Sequence, residues 1–114
     1  MPGWRFLTNH ALVLLAIAKQ PRITAREIAL AVGITERATH NIITDLDTGG
    51  YIAKKREGRG IRYRINPDLP LRHELTDDRA VGDLLEILGW KRRKKRLSRK
   101  ALLPMPPASQ LRIL

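Results

Sequence analysis

The run from Ile23 to Ile65 constrains this chain most: a short helix, a three-residue turn, a second helix and then a basic β-hairpin. Ile23-Thr24-Ala25-Arg26-Glu27-Ile28 carries a capping box, in which the Thr24 hydroxyl accepts from the Glu27 N–H and the Glu27 carboxylate accepts from the Thr24 N–H. Ile23 and Ile28 stand where a hydrophobic staple pins the entry angle. Ile28, Ala29 and Val32 give a short apolar face, and Gly33 supplies the left-handed conformation that ends the helix. Thr35 caps the next helix after only Gly33 and Ile34, a connection so short that the two helices must cross steeply.

The second helix is expected from about Glu36 to Thr48. Ile42, Ile43 and Leu46 recur at helical spacing, and Ala38 and Thr39 complete the inward side. Glu36, Arg37, His40, Asn41 and Thr44 are left pointing away from the core. Arg37 can fork onto guanine and Asn41 can pair bidentately with adenine, while His40 and Thr44 can bond bases or phosphates. A polar helix face is ordinarily no more than a solvated one. Here it follows a tight turn and precedes a hairpin, which favours base recognition.

Gly49-Gly50 stops that helix, and the pattern changes to a period of two. Tyr51 and Ile52 open the first strand, Lys54-Lys55-Arg56 close it, and Glu57-Gly58-Arg59-Gly60 has the glycines of a tight hairpin. On the return strand Ile61, Tyr63 and Ile65 should face the core, with Arg62 and Arg64 toward water or phosphate. Lys54, Lys55, Arg56, Arg59, Arg62 and Arg64 stand against the single acid Glu57. A solvated strand has no reason to exclude carboxylates, so a clamp on a DNA backbone explains the bias better. The order of parts is that of a winged helix-turn-helix, and the expected fold class is mainly α with a small β-hairpin (α+β).

The runs Ile28-Ala29-x-x-x-Gly33-Ile34-Thr35 and Leu46-Asp47-x-Gly49-Gly50-Tyr51-Ile52, with the wing Arg56 to Tyr63 and the trailing Asn66-Pro67, resemble small prokaryotic winged-helix regulators of the MarR/ArsR type. The likeness covers roughly Trp4 to Leu88. It implies a dimeric repressor or activator whose third helix reads the groove. By position it gives Thr35, Arg37, His40, Asn41 and Thr44 the recognition role, and Arg59, Arg62 and Lys55 backbone contacts. The chain departs from the pattern in lacking the cysteine-rich motif of many metal-sensing members and in being shorter than a typical MarR subunit.

At 114 residues there is room for one domain with one modest core. No apolar stretch is long enough to span a bilayer, and no small-residue cleavage site follows the N-terminus, so no membrane is expected. With no cysteine there is no disulfide, thiolate switch or thiolate-bound zinc, and the expected location is cytoplasmic, on the nucleoid.

The net charge of +11 is unevenly spread. Nine of the 22 basic residues follow Glu86, where there are no acids, and Lys91, Arg92, Arg93, Lys94, Lys95 and Arg96 are consecutive. Pro104, Pro106 and Pro107 and the lack of periodicity there predict a largely disordered tail over 90–114, beyond a domain over 1–89. Such an arm adds phosphate contacts without sequence preference and makes binding salt-dependent. A solubilising or targeting tail is the alternative.

Two further helices flank the motif. The first begins after Thr8 and runs to Lys19, apolar nearly all round. The last is expected from Asp77, after Thr76, to about Leu88, with Ala80, Val81, Leu84, Leu85 and Leu88 as its stripe. That stripe can fold back on its own first helix. The preferred arrangement is a homodimer through the first and last helices, with Leu12, Leu15, Val81, Leu84, Leu85 and Leu88 at the interface. Trp4 and Trp90 bracket the domain and are expected to pack together near it. An apolar cavity between these helices has room for a small-molecule effector, whose chemistry the residues leave unidentified.

No phosphate-cradling loop, nucleophile–base pair or acidic dyad is present, so catalytic residues and cofactors are not expected. His73, Glu74, Asp77 and Asp78 form the one cluster of metal-type ligands, read as a capped helix start and not as a metal site; His10 is read as a partly buried structural histidine. The expected function is a sequence-specific regulator on double-stranded DNA. The alternatives are an architectural protein that coats DNA without sequence choice and, against the shortage of exposed aromatics, an RNA binder.

Overall fold

Three of the four helices in the computed structural model, which describes residues 4–92, start on a threonine. Helix α1 (Asn9–Lys19) is capped by Thr8, whose hydroxyl accepts from Ala11 N at 3.1 Å. Val13, Leu14, Ile17 and Ala18 are buried on it, and Leu12, Leu15 and Ala16 are half-buried, so neighbours cover it on more than one side. Helix α2 (Ala25–Val32) has both bonds of the expected capping box: Glu27 N donates to Thr24 Oγ1 at 3.1 Å, and Thr24 N to Glu27 Oε1 at 3.0 Å. Gly33 ends α2 at φ 87°, a conformation that costs a residue with a Cβ.

Helix α3 (Glu36–Thr48) starts on Thr35, which accepts from Ala38 N at 3.0 Å. Ile42, Ile43 and Leu46 point inward, together with Thr39, a fully buried hydroxyl that donates to Thr35 O at 2.9 Å. Burying that polar group is tolerable because its donor is satisfied. Gly49 and Gly50 follow, the latter at φ 84°, and turn the chain into the hairpin.

Strands β1 (Ile52–Glu57) and β2 (Gly60–Ile65) pair antiparallel from Ile52↔Ile65 to Glu57↔Gly60, around a two-residue turn of Gly58 and Arg59. Tyr51 is buried just before β1 and does not open it. Directly paired residues share a face of the sheet. Ile52, Ile65 and Tyr63 therefore lie on the inner side, where Ile52 and Tyr63 are buried. Ile61 shares that side but is 39% exposed, against expectation, because it sits next to the turn and opposite Arg56. Backbone bonding of β2 continues on its far edge, where Tyr63 N donates to Pro21 O at 2.8 Å. The core gathers α1, α2, α3 and the root of the hairpin around Val13, Ile17, Ile28 and Leu46. This is a winged helix-turn-helix.

The last helix departs from expectation. Helix α4 runs only over Val81–Ile87, and residues 73–79 form a series of turns in which the Thr76 hydroxyl donates to His73 O at 3.1 Å. Two backbone bonds explain the late start: Leu71 N donates to Arg79 O and Val81 N to Leu69 O, so the segment before α4 is held extended against the chain leaving the wing. Asp83, not Asp77 or Asp78, serves the helix start by accepting from Ala80 N at 3.3 Å.

Val81 and Leu85 are also corrected. They are 4% and 1% exposed within the subunit's own core and are not free for a partner, whereas Leu84 and Leu88 are half-buried. Trp4 and Trp90 are apart in role: Trp4 meets Phe6 edge-on at 5.0 Å and is 67% exposed, while Trp90 packs on the core cluster. Among the described residues no helix is long and apolar enough to cross a membrane.

Candidate nucleic-acid interface

Arg37, His40, Asn41 and Thr44 recur at helical spacing and are all exposed, so they form one stripe on the outer face of α3. From Arg37 to Thr44 the stripe spans roughly 10 Å at the rise of an α-helix. Within the described residues none of the four side chains has a hydrogen bond or ion pair. Thr35 differs from them, because its hydroxyl oxygen is engaged as the cap of α3. Glu36 and Asp45 border the stripe on α3, both exposed.

The six cations of the wing are not equivalent. Lys55, Arg62 and Arg64 share the outer face with Ala53 and Glu57, whereas Lys54 and Arg56 lie on the side of Tyr63. Lys55 and Arg62 are directly opposed, an arrangement that repels. Glu57 relieves it: its carboxylate takes Arg62 Nη1 at 3.5 Å and Arg22 Nε at 2.9 Å. Its acidity reflects this company. The hydrogen bond from Arg22 holds the Glu57 carboxyl below its ordinary value, partial burial opposes, and the positive charges of Arg22 and Arg62 add to the lowering. Arg62 is thus half-buried and partnered, and Lys54 has Asp47 at 4.0 Å. Lys55, Arg59 and Arg64 are exposed and have no ion pair within the described residues. Tyr63 beneath them is pushed above its ordinary value by burial, with the charge of Asp47 adding.

The start of the basic run is fastened to the domain, contrary to its assignment to the tail. Arg92 reaches Glu86 at 3.0 Å, Asp68 at 3.6 Å and Asp83 at 3.7 Å, and Trp90 N donates to Leu85 O at 2.9 Å. This clamp joins α4 to the chain leaving the wing. A sequence scan counts Arg92 with its neighbours in charge; only the fold reveals three carboxylates around it. Lys91 is exposed and lines a cleft with Lys19 and Arg64. Arg93, Lys94, Lys95 and Arg96 lie outside the described residues.

His10 is exposed, not partly buried, and its Nε2 lies 2.8 Å from Asp45 Oδ2. His73 accepts through Nδ1 from Leu75 N at 3.0 Å, and among the described residues no three metal-type ligands stand together. Between α1, the end of α3 and α4 lies a groove of about 700 Å3, walled by Leu14, Leu46, Tyr51, Leu84 and Leu85.

The family model described as the MarR family matches residues 6–62, half of the chain. A MarR protein from Peptoclostridium difficile has a similar structure, with a TM-score of 0.50 at 19% identity over 71% of this chain and 47% of its own. The chain therefore spans about half the length of that relative. The T. potens IscR is similar over 85% of this chain and 97% of its own, with a TM-score of 0.55 at 15% identity. At such identities these likenesses concern the fold. No curated protein is similar enough to match. With its helix-turn-helix, its wing and the family match that runs through both, the chain belongs to the MarR family.

Proposed function

We propose that this regulator is sequence-specific, laying α3 in the major groove of double-stranded DNA and the wing on the flanking backbone or minor groove. One observation carries the reading: the stripe Arg37, His40, Asn41 and Thr44 is exposed and unengaged within the described residues, beside a cationic hairpin. Arg and Asn are the side chains that read guanine and adenine edges bidentately. Thr35, at the N-terminus of α3, has its oxygen turned to the helix and is left with a donor for a phosphate. Lys55, Arg59 and Arg64 take backbone phosphates first; Arg62 and Lys54 do so only by sharing their acids.

The active form is a homodimer in the cytoplasm, bound to the nucleoid. Leu12 and Leu15 on α1, with Leu84 and Leu88 on α4, are only half-buried in one subunit, and Phe6 and Ile87 are 92% and 82% exposed. Joining those surfaces across a two-fold axis covers them and sets two recognition helices about 34 Å apart, one turn of B-DNA. The basic run beyond Arg92 adds phosphate contacts of no sequence preference. The groove between α1 and α4 has the volume of a small-molecule site and is where an effector of this regulator binds.

The division of roles is tested by two substitutions on two DNAs. Asn41→Ala costs about 1–3 kcal/mol on the preferred site and far less on random DNA, whereas Arg59→Ala weakens both by similar factors. Identical behaviour of the two variants on both DNAs contradicts the assignment.

A further inference from the structure

Asp45 is an awkward residue for a helix that meets DNA. It follows Thr44 at one edge of the polar stripe, its side chain is 64% exposed, and a bare carboxylate there repels phosphate. Its partner is His10, in the first turn of α1, with Nε2 at 2.8 Å from Asp45 Oδ2. The two residues are 35 apart in sequence, so the contact ties α1 to α3 across the domain. While His10 is neutral a ring N–H donates to the carboxylate and the pair keeps the charge of Asp45. Once the ring is protonated both partners are ionised, the bond is stronger and the pair carries no net charge.

The surroundings leave this pair to act largely by itself. The groove behind it receives Val81, Leu84 and Leu85 from α4, none of them titratable, and Arg72 from the segment after the wing. Arg5, ahead of α1, is held by Asn9 Oδ1 at 3.2 Å. On α3, Asp47 has Lys54 of β1 as its partner, and Glu36 lies at the opposite end of the helix. On α2, Glu27 is engaged by its own capping box, and Arg26 is exposed.

We propose that His10 and Asp45 form a proton-operated tie between α1 and the recognition helix, so that DNA affinity rises when His10 gains a proton. This rests on the DNA-binding reading above. Protonation cancels the carboxylate at the edge of the DNA face and strengthens the contact between α1 and α3; both effects favour the complex. By linkage the sign is fixed: the added affinity is present while His10 carries its proton and is lost when the ring is neutral. His10 is therefore a positioning residue for α3, not one that touches bases.

The test is the dissociation constant of the full chain for a fixed mixed-sequence duplex, measured from about pH 5.5 to about pH 8 at constant ionic strength. His40 faces the DNA and contributes its own pH dependence, so the inference concerns the difference between variants. His10→Gln keeps a hydrogen-bond donor but cannot charge. It is expected to flatten the profile by about two- to five-fold across that range, as an exposed ion pair allows. Asp45→Asn is expected to remove the same portion of the slope and to bind more tightly than the unaltered chain at the alkaline end. The double variant should show no further flattening. A His10→Gln profile as steep as that of the unaltered chain overturns the tie while leaving DNA binding intact. Absence of binding at every pH overturns the DNA reading and the tie together. Both side chains are exposed, so the variants are expected to fold, which circular dichroism checks.

Discussion

Arg22, in the loop between α1 and α2, donates from Nε to the Glu57 carboxylate at 2.9 Å and so fastens the turn end of the wing to the helical body. The residues are 35 positions apart, and the same carboxylate also takes Arg62 from β2. One acid thereby sets the direction of a hairpin whose other charged residues are all cations. Because the folded-state pKa of Glu57 is lowered, the tie is complete above the ordinary carboxylate value of 4.5 and is lost as pH falls through the lowered one. Nuclear magnetic resonance of the Arg22 Nε–H and the wing amides should show the hairpin loosening only below the usual carboxylate range. The Glu57→Gln variant should show it loosened at neutral pH. Wing signals indifferent to both changes contradict the tie.

Leu85 and Ile87 stand on the same short helix and should respond in opposite ways to truncation. Leu85 is 1% exposed in the core, so Leu85→Ala should cost about 2–5 kcal/mol in denaturant unfolding. Ile87 is 82% exposed, and Ile87→Ala should leave the stability of one subunit within about 0.5 kcal/mol. Equal costs at both positions contradict the placement of α4.

The chain was legible wherever local chemistry decides the structure. Thr8, Thr24 and Thr35 mark helix starts because each side chain bonds an amide three residues on, a relation that sequence spacing contains in full. Gly33 and Gly50 mark ends for a similar reason, since few residues adopt a positive φ. The stripe on α3 followed from helical periodicity alone. Legibility stopped where distant segments meet. The late start of α4 is set by the bonds Leu71 N to Arg79 O and Val81 N to Leu69 O, and no local propensity announces them. Arg92 looked like tail because its three acids come from two separate stretches, and His10 looked structural because Asp45 lies on another helix.

The Arg92 clamp separates two truncations that look alike in sequence. Ending the chain after Arg92 should flatten the dependence of log affinity on log salt while leaving the unfolding midpoint in place. Ending it after Gly89 removes the clamp and Trp90 as well and should also lower the midpoint. Circular dichroism melts of the two forms make the comparison, and equal midpoints contradict a structural role for Arg92 and Trp90.

Dimer formation is checked by light scattering at micromolar concentration, with and without DNA. The expected mass is twice 13.0 kDa, and Leu12→Glu or Leu84→Glu should return it to a monomer. A monomer under both conditions contradicts the two-fold arrangement.

The most direct test of the account is selection of bound sites from random-sequence DNA by the purified chain at near-physiological salt. An inverted repeat with half-sites about one helical turn apart is expected, lost when Arg37 and Asn41 are replaced by alanine. Retention of DNA with no enriched motif contradicts it, and makes the chain a protein that coats DNA through its cationic wing and C-terminal run.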